Sequence, residues 1–268
     1  MNTETIQLKE QQPPPNYVLI DGALWGNDLR KAKQKNKNRC SLYKGATGKE
    51  LDSAAPYLFC VEADSEFEKW VKEQDPAKRH VMWLHSSVTL EELRKHFRRF
   101  LRMKNEKGTY IYFRFYSPRV FNCVFPHLTE VQRCDFFKEI NYILTEDSSI
   151  DDRRVFHFEE TENCELNNKP SGLNMWIITD EQMQNISVTM FSERKQRAFK
   201  LIRNESEFAE LGDEELKEKV HTFANKVANQ SMKEAVLVEF TKQCIREPEI
   251  LEYHTVKDLV QTIAKNSK

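Results

Sequence analysis

The spacing of the apolar residues changes once along this chain, near Thr179, and that change constrains what it can fold into. Up to about Trp176 short apolar runs alternate with helical stripes, whereas beyond Thr179 only helical spacing remains. Alternation of the first kind builds sheets covered by helices, and uninterrupted helical spacing builds a bundle. The chain therefore reads as α/β, with a mixed amino-terminal lobe over 17–177 and an all-helical carboxyl-terminal lobe over 178–268. Residues 1–16, polar and ending in Pro13-Pro14-Pro15, read as a flexible leader.

Strands are expected at 17–21, 56–61, 80–86, 109–116, 153–158 and 173–178, and seven glycines leave little room for the tight hairpins of an all-β fold. Helix starts are explicit. Ser65 with Glu68, Thr89 with Glu92 and Thr179 with Gln182 fit capping boxes, and Ser117 precedes Pro118 at the first helical position. Behind them fall apolar stripes: Phe67, Trp70 and Val71; then Leu90, Leu93, Phe97, Phe100 and Leu101; then Met183, Ile186, Met190 and Phe191. Further stripes are Leu216, Val220, Phe223, Ala224 and Val227, a helix near 232–245, and Leu259, Val260 and Ile263 behind Thr255 and Asp258.

Composition narrows the function. Of 268 residues 39% are apolar and 31% charged, and 41 basic side chains balance 42 acidic ones to a net charge of −1. A general nucleic-acid binder or a membrane-surface protein usually carries excess positive charge. The basic stretch Arg30–Arg39 and the arginines 94, 98 and 102 are offset by eight acids within 145–165, so opposite patches suit a protein partner or a self-contact better than nucleic acid. No run approaches the ~18 apolar residues of a spanning helix, and no membrane insertion is expected. The first fifteen residues lack the blocks of a secretory signal, which makes a bacterial-type cytosol the expected compartment. Cysteines 40, 60, 123, 134, 164 and 244 lack the spacing of a zinc knuckle or redox dithiol and read as reduced, small apolar residues.

Catalytic and cofactor motifs are missing from the spacing. Gly45-Ala46-Thr47-Gly48-Lys49-Glu50 has Tyr43 and Glu50 where a phosphate loop needs Gly and Ser or Thr, and reads as a surface turn. The seven histidines show no ligand spacing, no nucleophile elbow occurs, and no cofactor is expected. Asp21 ends the first strand, and Arg114 lies in the strand expected over 109–116. An arginine there needs an acidic partner, because an unpaired buried charge is costly; Asp21 is the candidate. The alternative from another class is a hydrolase or transferase with its site near Asp21 and Arg114.

Five phrases then read together: Tyr17-Val18-Leu19-Ile20-Asp21-Gly22, Ser41-Leu42-Tyr43-Lys44-Gly45, Pro56-Tyr57-Leu58, Leu93–Leu101, and Arg114-Phe115-Tyr116-Ser117-Pro118-Arg119-Val120. In this order they resemble the effector chaperone (adaptor) family of the bacterial type VI secretion system, the Tap/Tec group, over about 17–140. The helical tail after Ile178-Thr179-Asp180-Glu181-Gln182 looks like that family's variable carboxyl-terminal lobe. The family usually has Asp where this chain has Ser117. The resemblance implies a non-enzymatic protein that binds a cognate toxic effector in the cytosol and helps load it onto the spike protein. It supplies no catalytic residues, and it makes Asp21, Arg114, Pro118 and Arg119 scaffold positions. Flexible Met183, Met190 and Met232, with Phe191, are the expected partner-binding residues of the helical lobe, since methionines adapt to varied surfaces.

Overall fold

A computed structural model describes residues 13–75, 80–147, 152–157, 175–228, 230 and 232–266. The chain forms two compact units that divide after Ile186. Strands of the first unit are β1 (Tyr17–Ile20), β2 (Arg39–Ser41), β3 (Tyr57–Cys60), β4 (Val81–His85), β5 (Arg102–Asn105), β6 (Tyr110–Tyr112), β7 (Tyr142–Asp147), β8 (Asp152–Phe156) and β9 (Ile177–Ile178). Six of them make one sheet in the order β2-β3-β1-β4-β7-β8, and every neighbouring pair in it is antiparallel.

Helices of the first unit are α1 (Gly22–Trp25), α2 (Asn27–Lys35), α3 (Gly45–Glu50), α4 (Glu66–Gln74), α5 (Leu90–Arg98), α6 (Pro118–Val124) and α7 (Glu130–Phe137). Strand β1 is buried at all four positions because both sheet faces are covered. Val18 and Ile20 share a core with Leu29 and Ala32 of α2 and with Phe67 and Trp70 of α4. Tyr17 and Leu19 belong to the opposite core, with Phe97 of α5, Phe121 of α6 and Phe136 of α7. Phe136 centres that layer, its ring 5.0 Å from Phe100, 5.5 Å from Phe121 and 5.6 Å from Phe115. Such pairs contribute about 0.5–1.5 kcal/mol each beyond the area they bury.

Asn16, at the end of the expected leader, is held by the sheet: its amide nitrogen Nδ2 donates to Ser86 O at 2.8 Å and its Oδ1 accepts from Ser86 N at 3.0 Å. Tyr142 donates its hydroxyl to Pro13 O at 2.7 Å. The leader's first twelve residues lie outside those described, as do Cys164 and most of the acidic stretch 145–165.

The remaining strands form a second sheet in the order β6-β5-β9, antiparallel between β5 and β6 and parallel between β5 and β9. Its hairpin turns at Gly108, whose φ of +77° favours glycine. Gly108 N donates to Asn105 O at 2.9 Å, and Thr109 N to Asn105 Oδ1 at 2.8 Å.

Several local expectations need correction. The strand expected over 109–116 ends at Tyr112, so Arg114 lies in the irregular segment before α6. The Gly45–Glu50 segment is a short helix rather than a turn. Ser65 Oγ accepts from Glu68 N at 3.2 Å, yet Glu68 spends its carboxylate on Asp64 N and on Lys72, leaving the capping box half made. Ser117 occupies the cap position of α6 without a side-chain cap bond. Cys134 is disulfide-bonded, whereas Cys40, Cys60, Cys123 and Cys244 are in no disulfide; uniform reduction does not hold.

Helix α8 (Asp180–Arg203) opens on a complete capping box, with Gln182 N donating to Thr179 Oγ1 at 3.0 Å and Thr179 N to Gln182 Oε1 at 3.1 Å. The second unit takes the helix from Ser187 onward. It adds α9 (Asp213–Asn225), α10 (Glu234–Arg246), α11 (Ile250–Tyr253) and α12 (Val256–Asn266). One of its cores joins Ala224, Leu237, Phe240, Cys244, Leu259 and Ile263; the other joins Ala198, Ile202, Phe208, Leu216 and Val220. Arg197 is nearly buried in this unit, its Nε 2.9 Å from Glu234 and its Nη1 3.5 Å from Glu193.

Candidate functional site

Asp21 follows the last residue of β1, and the sharp entry into α1 fixes its position. A Cβ on the next residue, Gly22, would stand 2.1 Å from Ala55 O, so no side chain fits there. Asp21 is fully buried, and Arg114 donates from Nη2 to its Oδ2 at 2.6 Å. The predicted partnership is therefore present. Burial pushes the Asp21 carboxyl above its ordinary range, and the Arg114 charge opposes that shift without cancelling it.

Around this pair stand three phenols. Tyr43 O–H lies 2.6 Å from the Tyr112 hydroxyl and 3.3 Å from that of Tyr116, and Tyr112 and Tyr116 are 3.2 Å apart. The Arg114 guanidinium stands 5.9 Å from the Tyr116 ring centroid. Burial and then the neighbouring phenols raise Tyr112, and burial raises Tyr116, so both stay protonated at neutral pH. Burial also pushes the Cys40 thiol up to about 12, which keeps it a poor nucleophile. Neither these two phenols nor this thiol is an activated nucleophile at neutral pH.

Pro118 is buried at the first position of α6, and Arg119 follows it, half-buried. Tyr43 and Tyr112 were not singled out from sequence as partners of this group. Tyr43 nevertheless lies inside the quoted Ser41–Gly45 phrase and Tyr116 inside the Arg114 phrase, so two motif fragments meet at one hydroxyl cluster.

The partner-binding candidates separate. Met183 packs partly against the aromatic core of the first unit. Phe191 and Met232 pack partly against a core of the second unit, and Met232 O accepts from Arg194 Nη2 at 2.7 Å. Met190 is 39% exposed, and Val188 and Leu201 of the same helix, not foreseen, are more so.

A cavity of about 390 Å³ opens beside α4, floored by Val81, Trp83, Tyr142 and Leu144. Two of its acids are already engaged, Glu68 with Lys72 at 2.7 Å and Glu146 with Arg153 at 3.1 Å. Among the described residues no group of three or more His, Cys, Asp or Glu side chains could hold a metal ion. No described helix is long and apolar enough to cross a membrane.

Residues 16–135 match the family model described as a domain of unknown function, DUF4123. The DUF4123 segment begins just before β1, ends within α7 and contains Asp21, Tyr43, Tyr112, Arg114 and Tyr116. It stops short of β7, β8 and the second unit. No curated protein and no solved structure matches the chain.

Proposed function

We propose that this protein is an adaptor of the bacterial type VI secretion system, which binds a cognate toxic effector in the cytosol and helps load it onto the spike protein. The observation that carries the reading is the DUF4123 match over 16–135, because the same stretch holds all five phrases that resemble the effector chaperones. The physical chemistry of the motif supports it. Arg114 donates to Asp21, and the three tyrosine hydroxyls lie within hydrogen-bond distance of one another, an arrangement that fits a scaffold whose work is binding rather than turnover. Two surfaces stand open to a polypeptide: the exposed Val188, Met190 and Leu201 of α8, and the tyrosine-bearing edge of the small sheet.

Co-expression with the product of the adjacent open reading frame, followed by size exclusion and mass determination, tests the reading. A stoichiometric complex is the expected result. A chain that elutes alone beside every neighbouring product, or one with turnover abolished by Asp21→Asn in a protein that still folds, would count against it.

A further inference from the structure

Among the described residues the small sheet leaves one edge and one face uncovered. Phe113 N donates to Leu101 O at 3.0 Å and Asn105 N to Thr109 O at 3.0 Å, so the odd-numbered residues of this hairpin arm turn their main-chain groups toward β5. By the same alternation the N–H and C=O groups of Tyr110 and Tyr112 point away from the sheet. Lys104 N, donating outward from β5 to Trp176 O at 2.8 Å, follows the same phase. No strand lies beyond β6 among the described residues.

The side chains repeat the pattern. Tyr110 and Tyr112 are 62% and 45% exposed, while Met103 and Ile178 on the reverse face are buried. Tyr110 stands opposite Lys104, and Tyr112 opposite Arg102. Ile177, also exposed, lies opposite Lys104 on the far side. Proteins usually blunt an open edge with proline, a bulge or a covering element. Here the edge residues are two tyrosines, the type that recurs in binding hot spots, backed by two cations one strand in.

We infer that β6 is a docking edge that takes an extended, acidic segment of another polypeptide as an added strand. The segment's main chain pairs with Tyr110 and Tyr112, and its carboxylates lie within reach of the long Lys104 and Arg102 side chains. Main-chain pairing gives affinity and the alternate side chains give selectivity. The inference rests on the adaptor reading for its partner class and deepens it by naming the surface and the chemistry.

The test uses the full chain and three labelled probes: a peptide alternating valine with glutamate, its lysine counterpart, and a single-stranded oligothymidine. Fluorescence anisotropy should show the glutamate peptide binding in preference to the other two, and hydrogen exchange should show new protection at the Tyr110 and Tyr112 amides. Tyr110→Pro removes an outward N–H without touching the β5 ladder and should weaken binding by about tenfold or more. Lys104→Glu, which leaves the backbone intact and guards against a folding failure, should weaken the glutamate peptide about tenfold and strengthen the lysine one. The idea fails if the glutamate peptide does not bind, if the lysine peptide or oligothymidine binds as well, if protection maps elsewhere, or if Lys104→Glu binds unchanged. A glutamate peptide seated on β6 in a chain that forms no complex with any neighbouring gene product would leave this edge standing and remove the adaptor reading instead.

Discussion

Asp21 has no solvent contact while its partner Arg114 keeps 40% of its side chain exposed, so the two ends of this pair are not interchangeable. Arg114→Ala strands a buried carboxylate and should cost about 3–5 kcal/mol in urea unfolding, whereas Asp21→Ala leaves an arginine that water can reach and should cost less. The folded-state pKa of Asp21 is raised above 3.8, so its contribution is fully present below 3.8 and is lost as pH rises through the folded value. Removing Arg114 takes away the opposing charge and moves that loss to higher pH. His96 works in the other direction. Burial holds it down at about 4 while Nε2–H donates to Phe136 O at 2.7 Å, so its contribution is present above 6.5 and is lost as pH falls toward 4. That amounts to about 3 kcal/mol, and His96→Gln should flatten the stability profile between those limits. The Asp21–Arg114 pairing was legible because a charge set among apolar residues demands a partner. Tyr43 was not, since nothing in a sequence says which hydroxyl another hydroxyl will meet.

Among the elements, the capping pairs were the clearest signals, and Thr89 with Glu92 and Thr179 with Gln182 form both of their reciprocal bonds. The box at Thr129 and Gln132 was overlooked because its helix, α7, carries only a weak apolar stripe. Strand β5 was hidden for a different reason. Arg102-Met103-Lys104-Asn105 has one buried residue in four and follows directly on the α5 stripe, so its period could not be seen. In the helical unit Arg197 bridges Glu193 and Glu234 while only 6% exposed. Arg197→Ala should cost about 3–5 kcal/mol by taking away the cation that faces the buried Glu193 and the Glu234 carboxylate, and Arg197→Met combined with Glu193→Leu should recover most of it. Thermal unfolding of the single and double variants separates the two effects; a single variant as stable as the parent would show the triad to be inert.

For the molecule as a whole, the succession of a sheet-bearing region by a helical one was readable from the change of period, because each period answers to one kind of packing, whereas the compact units divide after Ile186 and not at 177. Strand order was not readable, since antiparallel pairs joined through intervening helices give no local turn signature. The disulfide at Cys134 was equally invisible and bears on the compartment: iodoacetamide applied to the denatured, unreduced protein should modify Cys40, Cys60, Cys123 and Cys244 and leave Cys134 untouched. Prior reduction should add Cys134 to the modified set. Labelling of Cys134 without reduction would show that the bond does not form in the cell.

Strand β1 precedes β3 and β4 in the chain and yet sits between them in the finished sheet. A ribosome adding roughly 5–20 residues per second therefore exposes it with one flank bare until Val81–His85 has emerged. During that interval Val18, Leu19 and Ile20 form a naked hydrophobic ribbon, and slow translation upstream of β4 would lengthen the time in which nascent chains can stick to each other.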